Sequence, residues 1–267
     1  MQNGPYIAER LMPQIVTAYC RQNGIEIQAF SDEWVLRLTK DGVHRWIVGY
    51  KFDLNRSAAG ELAQDKVAAY SALAAANIDA VPHYLVRSLP HELIHTQDLH
   101  EQLYGLSVVA KPLDGTSGRD VMRFASLEQA LDMIRMSGEP AWAVSPHHEL
   151  QAEYRLVMLG DEPQLVYEKT QPTYRDDLKL FNLSYGAVAI DVTDEALKDQ
   201  LTTIARRVMQ ATGLTLAAVD IVRLTNGDLW IMEVNDGISM EHYARQSAEH
   251  KDRARAVYDA IAGALFV

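Results

Sequence analysis

Three oxygen-bearing side chains lie close together in VDIVRLTNGDLWIMEVN, residues 219–235. Asp220 falls in one apolar run, Glu233 and Asn235 in the next, and Asn226-Gly227 between them reads as the turn of a hairpin. Side chains alternate along a strand, so Glu233 and Asn235 share a face. Three hard oxygen donors on paired strands suit Mg2+, which keeps several waters and bridges phosphate groups. Carboxylates set among Ile231, Met232 and Val234 are otherwise costly to bury.

Basic residues occur in three other stretches. VVAKPLDGTSGRDV (108–121) delivers Lys111 on an apolar strand into a glycine-bearing loop. Backbone N–H groups of Gly115, Thr116, Ser117 and Gly118 can wrap phosphate oxygens beside that ammonium. ELAQDKVAAYSALAAANIDAVP (61–82) carries Lys66 early on a helix. EYRLVMLGDEPQLVYEK (153–169) sets Arg155 and Lys169 on paired strands. The polar stretch TQPTYRDDLKLF and then NLSYG follow. A loop of that length in a compact domain is usually functional or mobile, and its Arg175 and Lys179 can close over an anion.

A competing signal is HELIH, residues 91–95, a match to the zinc-protease pattern H-E-x-x-H. On a helix over 90–104, opened by Pro90, His91 and His95 stand one turn apart with Glu92 as base. The third ligand is missing. Its metzincin position holds Glu101, the accompanying glycine position holds Asp98, and His100 is one residue out of place. The stretch reads as a polar surface helix, not a zinc site.

The elements that must position these groups follow from periodicity and turn chemistry. Helices are expected over 6–22 with a kink at Pro13, from Asn55 or Ser57 as cap to Asn77, over 126–136, over 193–212 ending at Gly213, and from 240 to 264. Strands are expected over 25–30, 34–40 and 44–52, the last two joined by Asp41-Gly42. Further strands are expected after Pro82, at 106–112, in AWAVS, EYRLVML, PQLVYEK and YGAVAIDV, and in the 219–235 hairpin. Strand groups mixed with helices, without regular βαβ alternation, give an α+β class.

Bulk properties set the limits. The chain has 267 residues, 48% of them hydrophobic, enough for one large or two closely packed cores. A net charge of −11 without a Lys/Arg run argues against nucleic-acid partners. Cys20, the single cysteine, excludes a disulfide framework and a cysteine zinc ribbon, and reads as a small buried hydrophobe. The first residues, MQNGPYIAER, have neither the basic nor the apolar region of a signal peptide, and no apolar run approaches a membrane span. A soluble cytoplasmic protein is expected.

In order, the stretches DK, K-P-x-D-G-x-x-G, E-x-R-x-x-x-L-G, N-L-S-x-G and V-D…E-V-N resemble the ATP-grasp superfamily over roughly residues 61–245. The resemblance is nearest to its ribosomal-protein-modifying glutamate ligase and glutathione synthetase-like branch. It implies two α/β lobes clasping a nucleotide: residues 61–145 and 146–267, preceded by a reduced region, 1–60, of one helix and strands. It implies that Lys66 and Lys111 contact ATP phosphates under the 114–118 loop, and that residues 142–145 form an adenine-binding hinge. It implies that Arg155 and Lys169 meet the γ-phosphate or acyl phosphate, and that Asp220, Glu233 and Asn235 hold two Mg2+ ions, with Mn2+ as a substitute. The usual hinge Gln-Glu pair is replaced by AVSPHHEL, so backbone groups of Ala143, Val144 and Ser145 or the side chain of Glu149 must serve the base. The usual E-V-N-x-x-P-G reads EVNDGISMEHY, placing Ser239 beside the reacting groups. The implied activity is ATP-dependent carboxylate–amine ligation of small-molecule or peptide substrates. A small-molecule kinase and a non-catalytic nucleotide-binding protein are the alternatives. The short N-terminal region points to a homodimer or a partner that completes the substrate pocket.

Overall fold

A computed structural model describes residues 9–89, 92–95, 98–113, 120–175 and 177–267. Helix α1 (Leu11–Gln22) buries the stripe Met12, Ile15, Val16 and Cys20, the spacing of one helical face. Pro13 falls in the first turn, where a backbone N–H lacks an intrahelical partner in any case, so the helix runs through it. Strands β1 (Glu26–Phe30), β2 (Val35–Lys40), β3 (Val43–Val48) and β4 (Lys51–Phe52) form an antiparallel meander. Asp41 and Gly42 both take left-handed backbone, φ 50° and 77°, as the tight β2–β3 turn requires.

The single helix expected up to Asn77 is two: α2 (Ser57–Gln64) and α3 (Lys66–Ala75). Asp65 breaks it, because its carboxylate accepts the N–H groups of Val67 and Ala68, both at 2.9 Å, and so caps a new helix. Neither Asn55 nor Ser57 caps. Asn55 instead accepts the N–H groups of Thr215 and Leu216, each at 2.9 Å. The break makes Lys66 the first residue of α3.

A second sheet has the order β6-β5-β9-β7-β8, from β5 (Tyr84–Leu89), β6 (Glu92–His95), β7 (Val108–Pro112), β8 (Met122–Phe124) and β9 (Ala141–Pro146). Helices α4 (Leu99–Leu103) and α5 (Leu127–Ser137) cover the face that carries Val86, Val108, Trp142 and Val144. The helix expected over 90–104 is therefore wrong. Residues 92–95 pair with β5, and only 99–103 are helical. Sheet pairing overrides the local helical reading, and Glu92 and His95 sit on a strand. His91 lies outside the described residues. His95 packs edge-on against His100, ring centres 5.2 Å apart. Among the described residues no three His, Cys, Asp or Glu side chains gather as a metal site.

The third sheet is built from β10 (Leu150–Leu159), β11 (Glu162–Thr170), β14 (Val188–Asp191), β15 (Leu216–Leu224) and β16 (Leu229–Asn235), in the order β14-β11-β10-β15-β16. Between β11 and β14 the expected open loop is a small hairpin, β12 (Thr173–Arg175) with β13 (Leu178–Leu180), because Leu178, Leu180 and Phe181 are buried. Helix α6 (Glu195–Thr212) starts at the Asp194 cap and ends at Gly213. The closing helix is also divided, into α7 (Glu241–Ala244) and α8 (Ala248–Ala264), with Ser247 capping the second.

One face of the third sheet packs on α2, α3 and α6 through Leu156, Val219, Ile221, Leu201 and Val208. The other face has its larger apolar core at one end. There Val157, Leu165, Tyr167 and Ala218 join a core with α1, the first sheet and α8. Towards the other end that face becomes charged, with a small apolar cluster of Val222, Leu224, Leu150 and Trp230 beyond the charges.

Candidate active site

The charged end is a ladder of cross-strand neighbours. Arg155 on β10 is directly opposite Asp220 on β15 and Tyr167 on β11, while Glu153 is opposite Lys169. Directly opposed residues point to the same face, so the four charges converge. The Arg155 guanidinium grips Asp220 through Nε to Oδ1 at 2.7 Å and Nη2 to Oδ2 at 2.6 Å. Lys169 Nζ lies 3.0 Å from Asp220 Oδ1 and also donates to Glu153 Oε1. Burial alone would raise the Asp220 carboxyl, but Arg155 and Lys169 outweigh it and hold the group down at about 2. Burial raises Glu153 against the pull of Lys169. Lys169 itself is raised, because Asp220 and Glu153 more than offset burial and the neighbouring Arg155.

A β-bulge completes the acidic side. Asp220 pairs with Glu233, yet the next residue, Ile221, pairs with Ile231, so Met232 is the extra residue on β16. The bulge lets Ile221 and Ile231 both enter the core while Asp220 and Glu233 both face the charged end. Asn235, two residues on, shares the face of Glu233. This donor set of two carboxylates and an amide fits Mg2+. The buried Nδ2 of Asn235 has no hydrogen-bond partner, so the amide can turn its oxygen inward without losing a bond.

Two lysines complete the basic side. Lys66, at the start of α3, pairs with Glu233 at 3.7 Å and donates to the Leu113 carbonyl at 3.3 Å. Lys111 on β7 is opposite Ala143 on β9, on the face of the second sheet away from its own core. Burial pushes its ammonium down to about 8, against the pull of Glu233. The two sheets thus present lysines and carboxylates to one another.

Lys66, Lys111, Arg155, Lys169, Asp220 and Glu233 are brought together, with Asn235 on the same face. Ala143, Val144 and Ser145 are buried in β9, which leads directly into β10, but Val144 faces the core of the second sheet. Glu149 points outward, its side chain 70% exposed and 4.0 Å from His147 Nδ1. Ser239 is exposed on a segment tied down by neighbours, since Ile238 N–H donates to the Tyr50 carbonyl at 2.8 Å and Met240 N–H to the Tyr258 hydroxyl at 2.9 Å. Gly115, Thr116, Ser117 and Gly118 lie outside the described residues. Arg175 donates to the Val121 carbonyl at 3.3 Å and Lys179 to the Leu150 carbonyl at 2.8 Å, so both are engaged. Sequence reasoning gave no role to Glu153, though it opens the E-x-R-x-x-x-L-G stretch, or to His83. Glu153 was detectable, being two residues before Arg155 on a strand whose partner carries Lys169. His83 is buried, bonds the Val81 carbonyl at 2.8 Å through Nδ1, and lines a pocket with Lys66 and Glu233.

Two lobes, each an antiparallel sheet backed by helices, meeting at a lysine-and-carboxylate site define an ATP-grasp fold. Residues 63–257 match the RimK-like ATP-grasp domain, and the chain belongs to that family. It is 30% identical over 195 residues to a probable alpha-L-glutamate ligase from Klebsiella pneumoniae, covering 71% of this chain and 61% of that one. It is 29% identical over the same length, with the same coverage, to a ribosomal protein bS6--L-glutamate ligase from Salmonella paratyphi B. The chain thus spans 61% of the length of these relatives. Its fold is similar to a bifunctional glutathione synthetase from Pasteurella multocida, with a TM-score of 0.62, 16% identity, and coverage of 97% of this chain and 43% of that one. Among the described residues no helix is long and apolar enough to cross a membrane.

Proposed function

We propose that the protein is an ATP-dependent carboxylate–amine ligase that forms an amide through an acyl phosphate. The observation that carries this reading is the convergence of Lys66, Lys111, Arg155 and Lys169 on the Asp220–Glu233 pair between the two sheets. Four cations around three carboxylates, Glu153 included, suit a polyphosphate with hard divalent ions, and among the described residues no side-chain nucleophile stands with them.

Lys66 and Lys111 bind the phosphates of ATP, and the 114–118 loop covers them. The β9–β10 junction, with Ala143 and Ser145 on the face of β9 opposite Val144, holds the base. Asp220, Glu233 and Asn235 hold Mg2+, which when bound offsets the negative charge of the transferring phosphoryl group. Arg155 and Lys169 orient the substrate carboxylate and the phosphoryl oxygens, with Ser239 at the margin of the acceptor site. A carboxylate oxygen attacks the γ-phosphorus, and the bond to the β–γ bridging oxygen breaks to release ADP. The amine nitrogen then attacks the acyl carbon. Phosphate leaves with the former carboxylate oxygen, and the amine proton passes to solvent.

The names of the relatives make L-glutamate the first amine to test, with small acids and peptide C-termini as carboxylates. The lobes are 61–145 and 146–267, preceded by residues 1–60, and the setting is cytoplasmic. Purified protein with Mg-ATP should release ADP only when both a carboxylate and an amine are supplied, and mass spectrometry should find the amide. A stable phosphorylated product formed without amine would instead make the protein a kinase.

A further inference from the structure

Glu153 has no place in the scheme above, yet its side chain, only 14% exposed, stands at the centre of the site. Lys169 Nζ sits between Glu153 and Asp220, donating to Glu153 Oε1 and lying 3.0 Å from Asp220 Oδ1. The Lys169 side chain is 6% exposed and that of Arg155 is 24% exposed. Both oxygens of Asp220 are therefore occupied by internal cations before any metal arrives. If Asp220 turns to a divalent ion, each cation loses an anion. Arg155, the more exposed, can follow an incoming anionic substrate. Lys169 cannot leave, because a buried ammonium without a carboxylate is strongly disfavoured.

We infer that Glu153 is a positioning residue: it retains Lys169 over the reaction centre and so leaves Asp220 available to the metal. Glu153 and Lys169 are directly opposed on β10 and β11, so their contact does not depend on Asp220. Without the Glu153 charge, Lys169 has only Asp220 to pair with among these neighbours and competes for it. Groups that orient metal ligands typically change metal affinity about 10–100-fold when removed. The inference rests on the metal reading proposed above.

The test is Mn2+ binding to nucleotide-free protein, followed by electron paramagnetic resonance or calorimetry. Glu153→Gln should weaken Mn2+ binding about tenfold. Glu153→Gln combined with Lys169→Met should restore it to within about twofold of Lys169→Met alone, because the competitor is gone. Glu153→Asp, which keeps the charge, should stay close to wild type and guards against misreading a folding defect. Unchanged binding in Glu153→Gln, or a double variant as weak as that single variant, overturns the positioning role. Glu233→Gln separates the two readings. Wild-type Mn2+ binding that survives Glu233→Gln overturns the metal assignment and the inference with it; binding that is lost in Glu233→Gln but indifferent to Glu153→Gln overturns the inference alone.

Discussion

Arg155 and Asp220 face each other across β10 and β15, and the guanidinium holds both carboxylate oxygens, at 2.7 and 2.6 Å. A planar fork on a buried carboxylate is a geometry that lysine cannot reproduce. Removing one side leaves the other charged and unpaired. Asp220→Asn should therefore lower stability by about 3–5 kcal/mol, the usual cost of breaking a buried pair. Urea unfolding would measure it, and a loss below about 1 kcal/mol would mean that solvent readily reaches Arg155 and Lys169.

The same pair sets an acid dependence. Asp220 is held at about 2, below its ordinary 3.8. A depressed carboxyl contributes stability above its unfolded value and loses it as pH falls through the folded one. Wild type should lose roughly 2 kcal/mol of unfolding free energy between about pH 4 and pH 2 from this group. Because Asp220→Asn cannot titrate there, its acid curve should lack that part of the decline.

Lys111 gives an alkaline dependence. Burial lowers its ammonium to about 8, so the charge offered to phosphate fades as pH rises through that value. The dissociation constant of ATP should rise roughly tenfold between pH 7 and pH 9. Lys111→Arg, charged throughout, should flatten the profile. Calorimetric titration at several pH values checks this, and an identical profile in both proteins would assign the alkaline limb to another group.

Glu241 ties the N-terminal region to the C-terminal segment. Its buried carboxylate accepts the N–H of Leu11 at 2.9 and 3.0 Å and that of Met12 at 3.1 Å, the first donors of α1. Glu241→Ala should cost about 1–3 kcal/mol and increase hydrogen exchange in α1 before the third sheet. Equal exchange in the two elements would show that α1 does not open separately.

Much of the fold was legible because its signals are local. Asp41-Gly42, the Gly213 stop and the 219–235 hairpin each act within a few residues, and each is found where expected. Three helical readings failed for reasons outside that window. Residues 92–95 joined a sheet edge, Asp65 capped α3 with its own side chain, and Ser247 restarted the last helix. The site was legible as residue types but not as contacts. Alternation alone aligned Glu233 with Asn235, yet the bulge at Met232 is what brings Glu233 beside Asp220. No spacing rule announces the Arg155–Asp220 pair, which depends on the register of β10 against β15.

Glu233→Gln should abolish Mg2+-dependent turnover while the fold persists, since one ligand charge is lost and the hydrogen-bonding shape is kept. Circular dichroism and a coupled ADP assay measure the two halves of the claim. Near wild-type turnover would remove Glu233 from the metal set.

Ligation through an acyl phosphate leaves a trace in the fate of a carboxylate oxygen. The carboxylate substrate is labelled with 18O and turned over with Mg-ATP and the amine that supports ADP release. Each phosphate released should carry one labelled oxygen, because the carboxylate oxygen that attacked the γ-phosphorus leaves with it when the amide forms. Amide formation with phosphate free of label would rule out the acyl phosphate.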